Sequence, residues 1–166
     1  MMTRRNLLRT LAGLGLAAPF VRFRSAFASA AEEETSTVSR LELSDEEWKK
    51  RLTPAQYAVL REEDTERAFS SPLNHETRAG VFQCVACELP LFSSETKFDS
   101  GTGWPSFFDH LPDGIAFKTD FKLIYPRKEY HCARCGGHQG HVFDDGPAPT
   151  GKRYCNNGVC LKFVEA

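Results

Sequence analysis

Apolar residues follow two different patterns along the chain. Between residues 44 and 68 they recur at helical spacing. Ser44-Asp45-Glu46-Glu47 has the Ser-x-x-Glu form of a capping box, and the helix it starts places Trp48 and Leu52 four apart on one face. Thr53-Pro54-Ala55-Gln56 repeats the signal: Thr caps, Pro takes the first helical position where its missing N–H costs nothing, and Tyr57, Val59 and Leu60 form the buried face of a second short helix. From Gly80 onward the pattern changes to short Phe-, Val- and Tyr-containing runs at residues 81–84, 115–117, 121–125, 153–155 and 159–164, separated by Gly, Pro, Asn and Asp. This is the punctuation of antiparallel strands. No helix-length periodic run follows residue 68. The expected architecture over residues 44–166 is therefore mainly β, with antiparallel sheets forming a barrel-like domain under a short N-terminal helical cap.

The first 30 residues read as an address. They hold Arg4, Arg5, Arg9, Arg22 and Arg24 with no acidic residue, an apolar stretch over residues 11–21, and the small residues Ala28-Ser29-Ala30 that a signal peptidase accepts. The twin arginine predicts a Tat-type signal peptide, engagement of the Tat export machinery and a periplasmic destination. A membrane anchor is the alternative, but about 11 apolar residues rise only about 16 Å as a helix, roughly half the hydrocarbon core. Arg22 and Arg24, between the apolar run and the cut site, depart from the tidiest signal and leave room for retention. Residues 31–43, acidic and Ser/Thr-containing without apolar periodicity, read as a linker.

Composition sharpens this division. The 166 residues carry 21 basic and 22 acidic side chains, but removing the five arginines of the leader leaves 16 against 22, a mature charge of −6. Nucleic acid is thus not an expected partner. A hydrophobic fraction of 41% excludes wholesale disorder. Both methionines stand at positions 1 and 2, so the mature chain would contain none.

All six cysteines lie beyond the leader. Cys84-Val85-Ala86-Cys87 and Cys132-Ala133-Arg134-Cys135 are two Cys-x-x-Cys units, each followed by turn-forming residues. Two such knuckles can converge on one tetrahedral zinc ion, so Cys84, Cys87, Cys132 and Cys135 are the expected ligands of one structural Zn2+. Two structural disulfides, favoured by an oxidising compartment, or a thioredoxin-like redox pair are the alternatives. The 44 residues between the knuckles exceed the usual zinc-ribbon separation. Cys155 and Cys160 remain. Lys152 and Arg153 can lower the pKa of a nearby thiol, and Tyr154 and Phe163 offer apolar walls, which suits a reactive thiolate; a small buried core cysteine is the bland alternative.

The chain from about Trp48 to Phe163 resembles the methionine-R-sulfoxide reductases of the B type. The resemblance rests on Arg61-Glu62-Glu63-Asp64-Thr65-Glu66, Leu91-Phe92-Ser93-Ser94-Glu95-Thr96-Lys97-Phe98, Asp99-Ser100-Gly101-Thr102-Gly103-Trp104-Pro105-Ser106-Phe107, Cys135-Gly136-Gly137-His138-Gln139-Gly140-His141-Val142-Phe143, and Arg153-Tyr154-Cys155 with Asn157. It implies a zinc-containing β fold that reduces the R epimer of methionine sulfoxide in oxidised proteins, with the paired cysteines as ligands and Cys155 as nucleophile. It further implies that His138, His141 and Asn157 do the polar work at the site, that Trp104 is the wall for the substrate's S-methyl group, that Arg153 lies near the nucleophile, and that a thioredoxin-like thiol is the reductant. With the leader, repair of exported proteins is the expected role.

One departure bears on turnover. Many members of that family carry a recycling cysteine in the Gly-x-Gly-Trp-Pro loop, where this chain has Thr102. Cys160 is the remaining internal candidate. Along a straight strand Cys155 and Cys160 would stand about 16 Å apart, but Asn157-Gly158 is a two-residue hairpin signal that would oppose them at about 5 Å, within disulfide reach. Direct reduction by an external thiol, with Cys160 a packed apolar residue, is the other expectation.

Overall fold

The computed structural model describes residues 38–120 and 126–166; the leader, the start of the linker and the strand expected at 121–125 lie outside the described residues. Both expected helices form. α1 (Asp45–Arg51) starts at Ser44 and α2 (Pro54–Glu62) at Thr53, and in each the capping box is complete, with the cap side chain and the third residue's side chain exchanging hydrogen bonds with each other's backbone. Trp48, Leu52, Val59 and Leu60 are buried, as the spacing predicts. The segment 38–43, read as linker, does more than connect: Val38, Leu41 and Leu43 lie against the core and the Leu41 amide donates to the Arg134 carbonyl at 2.8 Å.

Nine strands follow among the described residues: β1 (Gly80–Cys84), β2 (Pro90–Ser93), β3 (Lys97–Phe98), β4 (Ser106–Phe107), β5 (Ile115–Asp120), β6 (Arg127–Cys132), β7 (His138–Phe143), β8 (Arg153–Asn156) and β9 (Leu161–Glu165). They form two antiparallel sheets, ordered β2-β1-β9 and β3-β4-β8-β7-β6-β5. The barrel-like expectation is corrected here. Among the described residues the larger sheet ends at β3 and β5, which do not pair with one another, and the architecture is two open sheets. Aromatic rings join them. Phe82 of β1 meets Phe107 of β4 edge-on at 5.0 Å, Phe92 of β2 stacks on Phe107 at 4.2 Å, and Tyr130 of β6 closes edge-on to Phe92 at 6.0 Å. All four rings are fully buried, so their area drives the packing of one sheet on the other.

The predicted Asn157-Gly158 hairpin does not form. A type I′ turn needs positive φ at both central residues, whereas Asn157 has φ −67° and opens a 3-10 turn over Gly158–Cys160. The Glu66 carboxylate accepts from the Gly158 and Val159 amides, so these donors are satisfied by a distant side chain instead of by a hairpin partner. The chain then leaves one sheet for the other: β8 pairs with β4 and β7, while β9, which starts at Leu161 and not at 159, pairs with β1.

Candidate active site and cysteine cluster

The two Cys-x-x-Cys units fold alike. In the first, the Glu88 amide donates to the Cys84 carbonyl at 2.8 Å and the Cys84 amide to the Leu89 carbonyl at 2.9 Å; in the second, Gly136 donates to Cys132 and Cys132 to Gly137, both at 2.9 Å. Each knuckle closes through a left-handed residue, Glu88 at φ 60° and Gly136 at φ 67°. The four sulfurs gather within 4.8 Å of one another, with Cys84 to Cys135 at 3.7 Å and Cys87 to Cys132 at 3.4 Å. A disulfide would need about 2.05 Å, whereas four thiolates about 2.3 Å from one ion stand about 3.8 Å apart. All six cysteines are free, and the geometry of these four fits a single tetrahedral metal ion. The Gln139 side chain on β7 donates to the Cys84 sulfur at 3.5 Å, the outer-sphere contact that holds a thiolate in place.

Cys155 sits on β8 in the middle of the larger sheet, directly opposite Ser106 of β4 and His141 of β7. Side chains directly opposed in an antiparallel pair share a face. Here that face opens into a cleft of about 120 Å³ walled by Trp104, Arg127, His141, Phe143, Cys155 and Asn157. The close approach of β7 to β8 depends on Gly140, where a Cβ would stand 1.9 Å from the Cys155 carbonyl oxygen. Burial pushes the Cys155 thiol above its ordinary value; the Arg153 guanidinium and the Thr102 hydroxyl oppose this without overcoming it. Of the two basic neighbours, Arg153 does lower the thiol, though it is shared with Asp145, whereas Lys152 is engaged by Asp144. Arg153 grips Asp145 through two hydrogen bonds of 2.8 Å and lies 4.3 Å over the Phe143 ring, so it also orients one wall of the cleft.

Two histidine–carboxylate pairs support the site. His141 meets Asp120 through Nε2 at 2.8 Å, and the same carboxylate oxygen accepts from Arg127 at 2.7 Å. Burial lowers the His141 pKa, with Asp120 acting against that shift. His138 meets Glu129 through Nδ1 at 2.8 Å, with Lys118 3.2 Å from the other Glu129 oxygen. The Glu129 carboxyl feels burial first, which raises it, but the His138 and Lys118 contacts together hold it below its usual value. The His138 ring packs edge-on against His141 at 5.5 Å but is only 3% exposed and does not line the cleft. His141 thus faces the cleft, and His138 backs it.

Asn157 lines the cleft while its side chain bridges elements, accepting from the Glu66 amide and donating to the Gln139 carbonyl, each at 3.0 Å. Trp104 is fixed by an indole N–H donated to the Glu66 carbonyl at 3.1 Å. Two sequence-predicted residues lie elsewhere. Phe163 is on β9 in the other sheet, paired with Phe82 and capped by Arg78, and is not a wall of the cleft. Cys160 is fully buried, and without the hairpin it does not stand opposite Cys155. Sequence reasoning missed Arg127, Phe143, Glu66, Asp120 and Glu129 as contributors. Phe143 and Glu66 stood inside quoted motifs without a role; Asp120 and Glu129 carry no local signal, because only strand pairing brings them to the histidines.

A half-buried cysteine facing a histidine in a narrow, aromatic-walled cleft, with four cysteines elsewhere placed to hold one metal ion, is an arrangement suited to thiol chemistry on a β scaffold. Residues 52–165 match the SelR domain family, and the chain belongs to that family. It is similar to the peptide methionine sulfoxide reductase MsrB of Methanosarcina barkeri, 57% identical over 124 residues that cover 74% of this chain and 87% of the relative. The corresponding MsrB of Leptospira interrogans is 52% identical over 121 residues, 72% of this chain and 92% of the relative. The chloroplastic peptide methionine sulfoxide reductase B1 of Arabidopsis thaliana is 54% identical over 122 residues, 73% of this chain but 60% of that longer protein.

Proposed function

We propose that the protein reduces the R epimer of methionine sulfoxide in oxidised polypeptides to methionine, with Cys155 as nucleophile. The observation that carries this reading is the placement of Cys155 directly opposite His141 in the cleft walled by Trp104 and Phe143. The aromatic faces suit an S-methyl group, and the polar edge suits the sulfoxide oxygen. In the reaction the Cys155 sulfur attacks the sulfoxide sulfur, the sulfur–oxygen bond breaks, and the oxygen passes to Cys155 with the proton the thiol brought. The substrate sulfur gains two electrons and leaves as the thioether; Cys155 loses two and becomes a sulfenic acid. Two external thiols then restore Cys155, forming one disulfide and one water. A thioredoxin-like protein fits that role, because Thr102 cannot form a disulfide and Cys160 is fully buried without a hairpin to oppose it to Cys155.

One zinc ion on Cys84, Cys87, Cys132 and Cys135 is the metal this donor set favours, and its chemistry there is structural, pinning the β1 knuckle to the β6 knuckle. With residues 1–30 as a Tat leader, the enzyme would work on exported proteins in the periplasm. The test is turnover of separated R and S epimers of a methionine-sulfoxide peptide with dithiothreitol, with Cys155→Ser as control. The reading predicts consumption of the R epimer alone and none by the variant; turnover of the S epimer, or by Cys155→Ser, overturns it.

A further inference from the structure

Asp120 ends β5, two strands away from β7, yet its carboxylate reaches the imidazole that faces the nucleophile. Three observations fix what it does there. Arg127, its cross-strand partner, places a guanidinium 2.7 Å from the same Oδ2 that meets His141, so the carboxylate is held in its ionised form. An ionised carboxylate only accepts hydrogen bonds, so the proton on the neutral imidazole must sit on Nε2. No protein group bonds to the other ring nitrogen among the described residues, and the ring lines the Cys155 cleft.

We propose that Asp120 is a positioning residue that locks His141 in the Nε2–H tautomer, making Nδ1 the atom that collects the Cys155 thiol proton and delivers it to the sulfoxide oxygen. This inference rests on the reductase reading above. The proton count favours it. Reduction of a sulfoxide by a thiol needs no outside proton, because the proton lost from sulfur is the one that ends on the sulfenic oxygen. One proton shared between Cys155 and His141 is therefore enough, and a thiol raised by burial beside a lowered imidazole places it on sulfur in the resting site. When Nδ1 takes the proton, the imidazolium forms against Asp120, which stabilises it for the moment it exists. The groups facing His141 from neighbouring elements are Asp120, Arg127, Glu129, His138 and Cys155, and Asp120 supplies its direct hydrogen bond. The His138 ring, itself bonded to Glu129, packs edge-on against the His141 ring at 5.5 Å.

The test combines tautomer and kinetics in the full-length protein. Long-range proton–nitrogen spectra of ¹⁵N-histidine-labelled protein at neutral pH should show His141 protonated on Nε2 and bare at Nδ1, and this signature should be lost in Asp120→Asn. That variant should reduce the R-sulfoxide peptide about 10–100-fold more slowly in kcat/KM. Asp120→Glu should recover the tautomer and part of the rate. Protonation on Nδ1 in the wild type, or full kcat/KM in Asp120→Asn, overturns the inference. A wild type with the stated tautomer but no sulfoxide turnover would sink the reductase reading and the proton route built on it, while wild-type turnover with the opposite tautomer would sink this inference alone.

Discussion

Gly140 is the position at which the smallest substitution should do the most damage. In Gly140→Ala the new methyl would meet three backbone atoms of β8: the Cys155 carbonyl oxygen at 1.9 Å, the Cys155 carbonyl carbon at 3.0 Å and the Asn156 Cα at 3.2 Å. None belongs to a flexible side chain. Ordinary contact begins at 3.4 Å, so β7 and β8 must separate by about 1.5 Å at this point. Ladder hydrogen bonds near 2.9 Å would lengthen beyond 4 Å and be lost. Overpacking costs about 1–3 kcal/mol and each forfeited buried bond about 1 kcal/mol, which gives about 3 kcal/mol in all. For a domain of about 130 residues that lowers Tm by about 10 °C. Because His141 and Cys155 are the next opposed pair, kcat/KM should fall even below the new Tm. Gly136→Ala is the comparison: it also replaces a glycine but meets no atom within 4 Å, so it pays only the left-handed φ of 67°, about 1 kcal/mol. Calorimetry and steady-state kinetics on both variants decide the matter. A Gly140→Ala protein that melts as the wild type does, or no lower than Gly136→Ala, would refute this reasoning.

Three further expectations follow from the same geometry. Cys132→Ser, removing one of four converging sulfurs, should abolish metal retention and leave the protein largely unfolded, since structural zinc can supply roughly 10–16 kcal/mol; elemental analysis with circular dichroism checks this, and a folded metal-free variant would contradict it. The Cys155 thiol is raised, so its thiolate fraction grows only above the ordinary thiol range: the iodoacetamide rate at Cys155 should still be climbing at pH 9, and a plateau below pH 8 would show the opposite shift. Glu66→Ala strips the acceptor from the Gly158 and Val159 amides beside Asn157, costing about 3 kcal/mol by urea titration and depressing kcat/KM; an unchanged midpoint would remove Glu66 from its role at the β8–β9 crossover.

What could be read from the chain was what local chemistry decides. Both capping boxes are satisfied within four residues, so α1 and α2 were legible to their first residues, and Trp48 and Leu60 to their burial. The pairing of sulfurs within each cysteine knuckle was legible from its two-residue spacing, and the gathering of Cys155, His141 and Trp104 at one cleft only through the motifs that carry the family resemblance. β6 and β7 were not, since Arg127-Lys128-Glu129-Tyr130-His131-Cys132 and His138-Gln139-Gly140-His141-Val142-Phe143 lack the alternating apolar code; their polar residues are buried in pairs such as His138 with Glu129. The Asn157-Gly158 signal failed for a related reason. A turn propensity is a weak preference, and the Glu66 carboxylate, 92 residues from Gly158 along the chain, binds the Gly158 and Val159 amides that a hairpin would have turned elsewhere. Period-two patterning marks strands but not their partners, so an open pair of sheets and a barrel look alike until pairing is seen.

In the proposed reaction Cys155 itself takes the oxygen from the substrate. Mixing the protein with an excess of R-sulfoxide peptide in the absence of any reductant, then following both products by mass spectrometry, tests it most directly. One equivalent of methionine peptide and a dimedone-reactive gain of about 16 Da on Cys155 alone are the expected products. Methionine peptide formed with Cys155 unmodified, or with the oxygen on another residue, would contradict it.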